Sequence, residues 1–214
     1  MRSAPHRSTA PRGAVNGTEP RPTTRRPPGR GEEHTMSDPH DAGTARASLA
    51  EIAALLAPAH PEVAEEVLRA HDDPEGYVSA FADRLDDRGV DEPVDDLPWI
   101  ALIDALSDRG LLAEFDWKED AAQIRARLEA LESRPSADPW ALLAAAETAL
   151  PTHDFLHACG RRYREVGEAL AVLDIDSDCY PVVGLPAARA DELTLLADRA
   201  GFPVEHLGAA DPGT

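Results

Sequence analysis

The sequence predicts an α+β fold in which a helix-rich N-terminal half packs on a small three-stranded C-terminal sheet. Apolar residues recur at helical spacing from about residue 45 to residue 166, whereas from residue 170 they alternate with the period of two that is typical of strands. The C-terminal unit therefore has the predicted order helix–strand–strand–helix–strand. Because three short strands are only marginally stable alone, we expect the helical half to cover this sheet.

Prolines divide the helical half, since proline lacks the N–H group that a helix interior needs. Pro58 ends a first helix that begins near residue 48, and further helices begin at Pro61, Pro74 and Pro98. The last two of these helices each end in Asp-Arg-Gly followed by an apolar residue, a sequence typical of a left-handed glycine cap. Additional helices are predicted over residues 118–133, 138–150 and 153–166.

Two strands joined by a turn follow these helices, over residues 169–175 and 180–185. Pro181 cannot donate a ladder hydrogen bond, so we expect its strand to lie at a sheet edge or to contain a bulge. An amphipathic helix from residue 186 to residue 200, with a glycine cap at Gly201, leads into a last strand over residues 202–207.

The first 43 residues are rich in Pro, Arg, Gly, Ser and Thr and have almost no large apolar side chains. Such a composition cannot bury enough surface to offset the entropy of ordering, so we predict a disordered leader before a single α+β domain at residues 44–209. An alternative hypothesis is that translation starts further along the chain than residue 1. The codons for residues 31–33, Gly-Glu-Glu, can resemble a bacterial ribosome-binding site, and translation would then begin at Met36.

The net charge of −19 is distributed unevenly along the chain. Seven arginines and three glutamates give residues 1–35 a charge of +4, so residues 36–214 carry −23. This charge repels nucleic acid and anionic membranes and favours a protein partner with a basic surface, and it also keeps a protein soluble. No apolar run reaches the roughly 18 residues that a membrane span needs. With only Cys159 and Cys179 and no export signal, we expect reduced thiols and a cytoplasmic protein.

Three aspartates, Asp174, Asp176 and Asp178, alternate in the turn between the two predicted strands. If this segment is extended, their carboxylates project from one face and together could bind Mg²⁺, Mn²⁺ or Ca²⁺. The sequence departs from an EF-hand loop, because Cys179 stands where glycine is required and Leu185 where the bidentate glutamate belongs. The alternative interpretation is an Asx-rich turn whose carboxylates accept backbone N–H groups.

A second candidate binding segment contains Trp117 and Lys118, the only lysine of the chain. Lys118 could pair with the aspartate turn, beside which Tyr180 is a further candidate binding residue. The alternative is the chemistry of a helix N-terminus, in which Asp116 caps the helix and the acids that follow interact favourably with its dipole.

Other motifs give little support to a catalytic or zinc site. His153 and His157 share a helix face, but with Cys159 or Cys179 they match no zinc-binding signature. The sequence contains no Gly-x-Ser-x-Gly motif and no glycine-rich phosphate loop. Carboxylates beside Cys179 are expected to raise the pKa of its thiol. The arginines within residues 161–164 are interpreted as counter-charges for the aspartate turn.

Two motifs resemble those of a bacterial family known only as a domain of unknown function. One is the hairpin from Leu173 to Pro181, Leu-Asp-Ile-Asp-Ser-Asp-Cys-Tyr-Pro, and the other is Asp-Trp-Lys at residues 116–118. The resemblance spans about residues 95–207. It implies a small cytosolic bacterial protein and attaches no activity, cofactor or partner to it.

These observations lead to two hypotheses of function. The first is a non-enzymatic, acidic interaction protein without a cofactor, analogous to the immunity proteins that neutralise basic bacterial toxins. The second is a metal-dependent hydrolase that uses Asp174, Asp176 and Asp178 with Lys118 or Tyr180 and a divalent cation. The lack of a recognisable catalytic set favours the first hypothesis.

Overall fold

The computed structural model describes residues 39–141 and 143–209 of the chain. Residues 1–38 of the predicted leader, with the Met36 start, lie outside this part, and residues 39–43 belong to the first helix. None of the helices in the described part is long and apolar enough to cross a membrane. The elements are, in chain order, α1 (Pro39–Leu56), α2 (Pro61–Asp72), α3 (Pro74–Ala80), α4 (Ala82–Asp86), α5 (Leu97–Ser107), β1 (Leu112–Asp116), α6 (Ala121–Ala130), α7 (Thr152–Glu165), β2 (Glu168–Leu173), β3 (Cys179–Pro186), α8 (Ala190–Ala200) and β4 (Val204–Leu207).

The four strands form one antiparallel sheet in the order β1-β3-β2-β4. The helix-rich α+β class is therefore confirmed, but the prediction of three strands is wrong, because β1 adds a fourth. Five residues are too few to show a clear alternation, and the last of them, Asp116, is typical of a helix start. The sequence pattern therefore does not predict strand β1.

Helices cover both faces of the sheet. One face packs against α1, α2, α5 and α8 in a core that includes Ala171 and Val183, and the other packs against α6 and α7 around Leu170 and Val182. Strand β2 is therefore apolar at successive positions, as is typical of a strand that is buried on both sides. The expected packing of helices on the sheet is therefore present, and it involves both faces.

Pro181 lies where β3 has a neighbour on one side only. Strand β3 is central, between β1 and β2, but its last pair with β2 is Val172–Val182. Pro181 precedes Val182 in the chain and pairs only with Glu114 of β1. Because β2 has no residue opposite Pro181, the missing N–H costs no ladder hydrogen bond to β2. The prediction that this strand lies at an edge or contains a bulge is therefore wrong: β3 is internal, and the register accommodates Pro181 at a position that β2 does not reach.

The segment between α6 and α7 differs most from its prediction. The predicted helix over residues 138–150 is absent from the described residues, which hold turns and a short 3₁₀ helix at Glu147–Ala149. Asp138 accepts the backbone N–H of Trp140 at 2.9 Å, and the buried Trp140 ring packs edge-on against Tyr163 with 5.8 Å between centroids. The run that follows is rich in alanine and leucine, which favour a helix, so local propensity is overridden here in the folded domain.

Three helix ends have the glycine cap that the sequence predicts. Gly89, Gly110 and Gly201 have φ angles of +71°, +65° and +86°, in the left-handed region that favours glycine. At the second of these caps the N–H of Leu111 donates to the carbonyl of Leu106 at 2.9 Å, which closes the end of α5.

Helix α7 and strand β4 approach each other closely at Gly160. A Cβ atom placed on this residue would lie 2.3 Å from the carbonyl oxygen of Leu207, a distance that real Cβ atoms do not adopt. By contrast, Gly43 in α1 has open space around the same position. The lack of a side chain at Gly160 therefore sets how α7 lies on the sheet edge.

We expect Gly160→Ala to destabilise the protein by about 2 kcal/mol, because either α7 or the backbone of β4 must move. Gly43→Ala is the matched control and should stabilise by up to about 1 kcal/mol, since alanine is the better helix former. Chemical denaturation of both variants measures the difference. Equal stability of the two variants would contradict the close approach.

Candidate functional site

The aspartate turn joins β2 to β3 and is folded by its own side chains. One carboxylate oxygen of Asp174 accepts the backbone N–H of Asp176 at 2.8 Å, which is the hydrogen bond of an Asx turn. Asp176 has a φ of +52°, in the left-handed region that aspartate tolerates better than most residues. The indole N–H of Trp99 on α5 donates to the carbonyl of Asp174 at 3.0 Å and attaches the turn to the helical half.

The carboxylates of Asp174, Asp176 and Asp178 do not converge on one point. The left-handed residue interrupts the extended backbone that would place all three on one face. Within residues 39–141 and 143–209, the only group of three or more metal-ligating side chains with ligand atoms inside 4.8 Å lies elsewhere. The geometry therefore matches the Asx-turn interpretation more closely than a three-oxygen cation site.

Lys118 contacts its neighbour instead of the aspartate turn. Its ammonium nitrogen lies 3.9 Å from the centroid of the Trp117 ring, a cation–π contact, and the Trp117 side chain is 51% exposed. The backbone N–H of Trp117 donates to the carbonyl of Asp178 at 3.1 Å, so the tip of β1 and the turn are adjacent. Tyr180 is the second residue of β3, and its ring lies 5.5 Å from that of His153.

The helix cap assigned to Asp116 belongs to Asp120. The Asp120 carboxylate accepts the N–H groups of Ala122 and Gln123, both at 2.9 Å, and α6 begins after it. Asp116 instead ends β1 and accepts the N–H of Lys118 at 2.8 Å. An aspartate does cap the start of this helix, as predicted, but it lies four residues further along the chain.

The arginines that were expected to neutralise the turn pair elsewhere. Arg161 and Arg162 contact Glu147 at 3.6 Å and 3.1 Å, and Arg162 also contacts Glu165 at 2.8 Å. Throughout the described ranges, no lysine or arginine forms an ion pair with any of the three turn aspartates. The turn is therefore an acidic surface without an internal counter-charge.

Two neighbouring cavities flank the turn. The arginine cavity, of about 780 Å³, contains Arg84, Arg88, Asp104 and Glu114 in its lining. The acidic groove, of about 440 Å³, has four carboxylates and a largely apolar floor in its lining. Three residues line both cavities and so form the wall between them: Asp96, Ile175 and Asp176.

Ion pairs inside the arginine cavity neutralise both of its arginines. Arg88 donates from Nε to Asp104 at 2.7 Å and from its two terminal nitrogens to Glu114 at 2.6 and 3.2 Å. Arg84 pairs with Glu66 and, at 3.1 Å, with Asp108. These contacts connect α2, α4, α5 and β1, so the network acts first as a cross-link between elements.

Asp104 is the most deeply placed member of this network, with 5% of its surface exposed. Burial raises the pKa of its carboxyl above the ordinary value, and the hydrogen bonds from Arg88 oppose that shift. It is also the only charged residue of α5, in which every residue from Leu97 to Leu106 is buried. A lone acid in such an apolar helix is the sequence signal that could have revealed this network.

We expect Arg88→Ala to cost about 3 kcal/mol of stability, because it leaves the buried Asp104 without its hydrogen-bonded partner. Arg125→Ala is the control, since the exposed Arg125–Glu129 pair on α6 should contribute less than about 0.5 kcal/mol. Urea denaturation at neutral pH measures both. A loss as small for Arg88→Ala as for the control would contradict a structural role for the network.

Neither cysteine has the properties of a nucleophile. Burial raises the pKa of Cys159 to about 12. The pKa of Cys179 is also raised, chiefly by burial and then by the charges of Glu114 and Asp116, so its thiol stays protonated at neutral pH. The direction predicted for Cys179 is correct, although burial contributes more than the neighbouring carboxylates.

His153, His157 and Glu205 form the compact group of possible metal ligands. Glu205 Oε1 lies 3.2 Å from His153 Nε2 and 2.9 Å from His157 Nε2, at the junction of α7 and β4. The two histidines are recognisable in the sequence as a pair four residues apart. Glu205 is not, because only the pairing of β4 with β2 brings it to α7.

A hydrogen bond from the C-terminal end of β4 disfavours metal binding at this group. The backbone N–H of Gly208 donates to Nδ1 of His157 at 3.1 Å, so in the neutral ring the proton is on Nε2. Nε2 then donates to Glu205 and has no free lone pair for a metal. The three residues therefore connect α7 to β4 through hydrogen bonds.

Because the turn carboxylates are dispersed, we expect calorimetric titration of the full chain with Mg²⁺, Mn²⁺ or Ca²⁺ to give no saturable heat. Asp176→Asn should behave like the wild type. One-to-one binding by the wild type that Asp176→Asn abolishes would contradict this expectation and would restore the hydrolase hypothesis.

A family model described as a domain of unknown function, DUF6630, matches residues 48–208. The match extends the predicted resemblance into the helical half, beyond the two motifs that suggested it. No curated protein and no solved structure matches the chain.

Proposed function

Because the chain belongs to the DUF6630 family, whose description assigns no activity, we propose a function from its own charges and cavities. We propose that the protein is an acidic interaction module that binds a protein partner with a basic surface. The partner's basic groups would lie against the side of the domain that carries the aspartate turn.

The observation that carries this proposal is an imbalance between paired and unpaired charges. The arginines near the turn are committed to acids within the domain, as in the pairs of Arg84 and Arg88. The acids at the surface there have no such partners, because no ion pair in the described part of the chain involves Asp95, Asp96 or Asp174. Such a surface attracts cations over distances of about 10 Å at moderate salt.

The exposed Trp117 beside this surface supports a protein partner over a small cation. Tryptophan is among the residues that most often contribute strongly to protein–protein binding, and its ring here is half exposed at the tip of β1. A protein that neutralises a basic toxin would need the same combination of carboxylates and one aromatic anchor. The immunity-like analogy is part of the proposal on that ground alone.

The metal-dependent hydrolase is the weaker proposal. It requires Asp174, Asp176 and Asp178 to share a cation and Lys118 or Tyr180 to approach them. Lys118 lies on the Trp117 ring, and Tyr180 lies near His153. No observation in the site favours hydrolysis over binding.

Capture from a lysate of the source organism tests the interaction proposal. We expect the immobilised full chain to retain a basic protein at about 0.05 M salt and to release it at about 0.5 M, because salt screens charge pairs between exposed groups. Mass spectrometry identifies the captured protein, and Trp117→Ala should weaken its retention. If no captured protein is both basic and sensitive to salt, the proposal is wrong.

A further inference from the structure

We propose that the acidic groove receives a single arginine or lysine side chain of the protein partner. This inference rests on the proposed function and assigns the contact to one of the two cavities. The groove is defined by Asp95, Asp96, Asp174 and Asp176 at its rim and by an apolar floor.

The floor of the groove suits the aliphatic part of a long basic side chain. Phe202 stacks on Trp99, with 4.8 Å between centroids and 3° between ring planes, and Ile175 and Pro203 extend the apolar surface. Lysine and arginine place their methylene groups along such surfaces while their charged ends remain among polar groups. A volume of about 440 Å³ leaves room for either side chain.

The rim supplies the opposite charge from two separate elements. Asp95 and Asp96 precede α5, and Asp174 and Asp176 belong to the turn on the other side. No basic residue lines the groove, and none of its four carboxylates is in an ion pair with another described residue. A partner's cation would therefore meet carboxylates that no internal group already neutralises.

The larger neighbouring cavity is the poorer site for the same cation. Arg84 and Arg88 line it, and they already occupy the carboxylates of Asp104 and Glu114. Asp96 and Asp176 line this cavity as well, but a third cation there would meet the repulsion of two guanidinium groups. The contrast between the two cavities directs the basic side chain to the acidic groove.

Hydrogen bonds hold the groove in shape before a partner arrives. Trp99 donates its indole N–H to Asp174, and the backbone N–H of Asp174 donates to the carbonyl of Pro203 at 3.3 Å. The Asx bond to Asp176 fixes the tip of the turn. Since these contacts join the floor to one wall, binding requires little ordering of the chain.

Fluorescence polarisation with a labelled Gly-Arg-Gly-Arg-Gly-Gly peptide, acetylated and amidated, tests the inference on the full chain. The reference peptide has citrulline in place of arginine and keeps the shape without the charge. At low salt we expect the wild type to bind the arginine peptide at least about tenfold more tightly than the citrulline peptide. Equal affinity for the two peptides would overturn the inference.

Charge variants locate the binding. Asp95→Asn with Asp176→Asn should weaken binding of the arginine peptide by about tenfold, and asparagine is compatible with the left-handed backbone at residue 176. Glu51→Gln with Glu65→Gln removes the same charge from exposed positions of α1 and α2 and should change affinity by less than about twofold.

Equal weakening by the two double variants would mean that net charge, and not the groove, holds the peptide. The assignment to the groove would then be wrong. The interaction proposal would still stand if the lysate partner remained sensitive to salt. Loss of that partner in the groove variant, together with its retention by the control variant, would support both proposals.

Discussion

Trp99 is the residue on which the candidate site depends most directly. Its side chain is fully buried in the core between α5 and the sheet, its indole N–H donates to the carbonyl of Asp174, and its ring stacks on Phe202. A buried indole without a hydrogen-bond partner would be costly, so the position of the turn and the burial of the helix are coupled. One side chain therefore connects the apolar core to the acidic surface.

The domain contains two kinds of carboxylate, one paired inside the fold and one unpaired at the surface. Asp104 and Glu114 lie where α5 and β1 meet, and their desolvation is compensated by Arg88, so they hold the fold together. Asp95 and Asp176 lie outside this network and have no such partner among the residues that the structure describes. Their repulsion is a cost that water and salt reduce and that a basic partner would relieve. The division separates the carboxylates that hold the fold together from those that the proposed partner would contact.

Local chemistry was predictable from the sequence, and long-range placement was not. The glycine cap at Gly89, the breaks at prolines and the Asx turn at Asp174 each depend on a few consecutive residues, and the structure has all three. Strand β1 exists only because β3 pairs with it, and Glu205 reaches His157 only through the sheet. Arg88 belongs to the Asp-Arg-Gly end that the sequence shows, but its ion pair with Asp104 depends on packing between elements. The candidate site thus combines a turn visible in the sequence with walls that only the fold assembles.

Hydrogen exchange at the Asp176 amide in the Trp99→Phe variant is the most direct measurement of this coupling. The variant keeps an aromatic ring in the core and removes the N–H that holds the turn. We predict that the Asp176 amide, which donates to Asp174, exchanges at least about tenfold faster than in the wild type, and that Trp140→Phe, in the other core, leaves it unchanged. Unchanged exchange in Trp99→Phe, with wild-type affinity for the arginine peptide, would contradict the account.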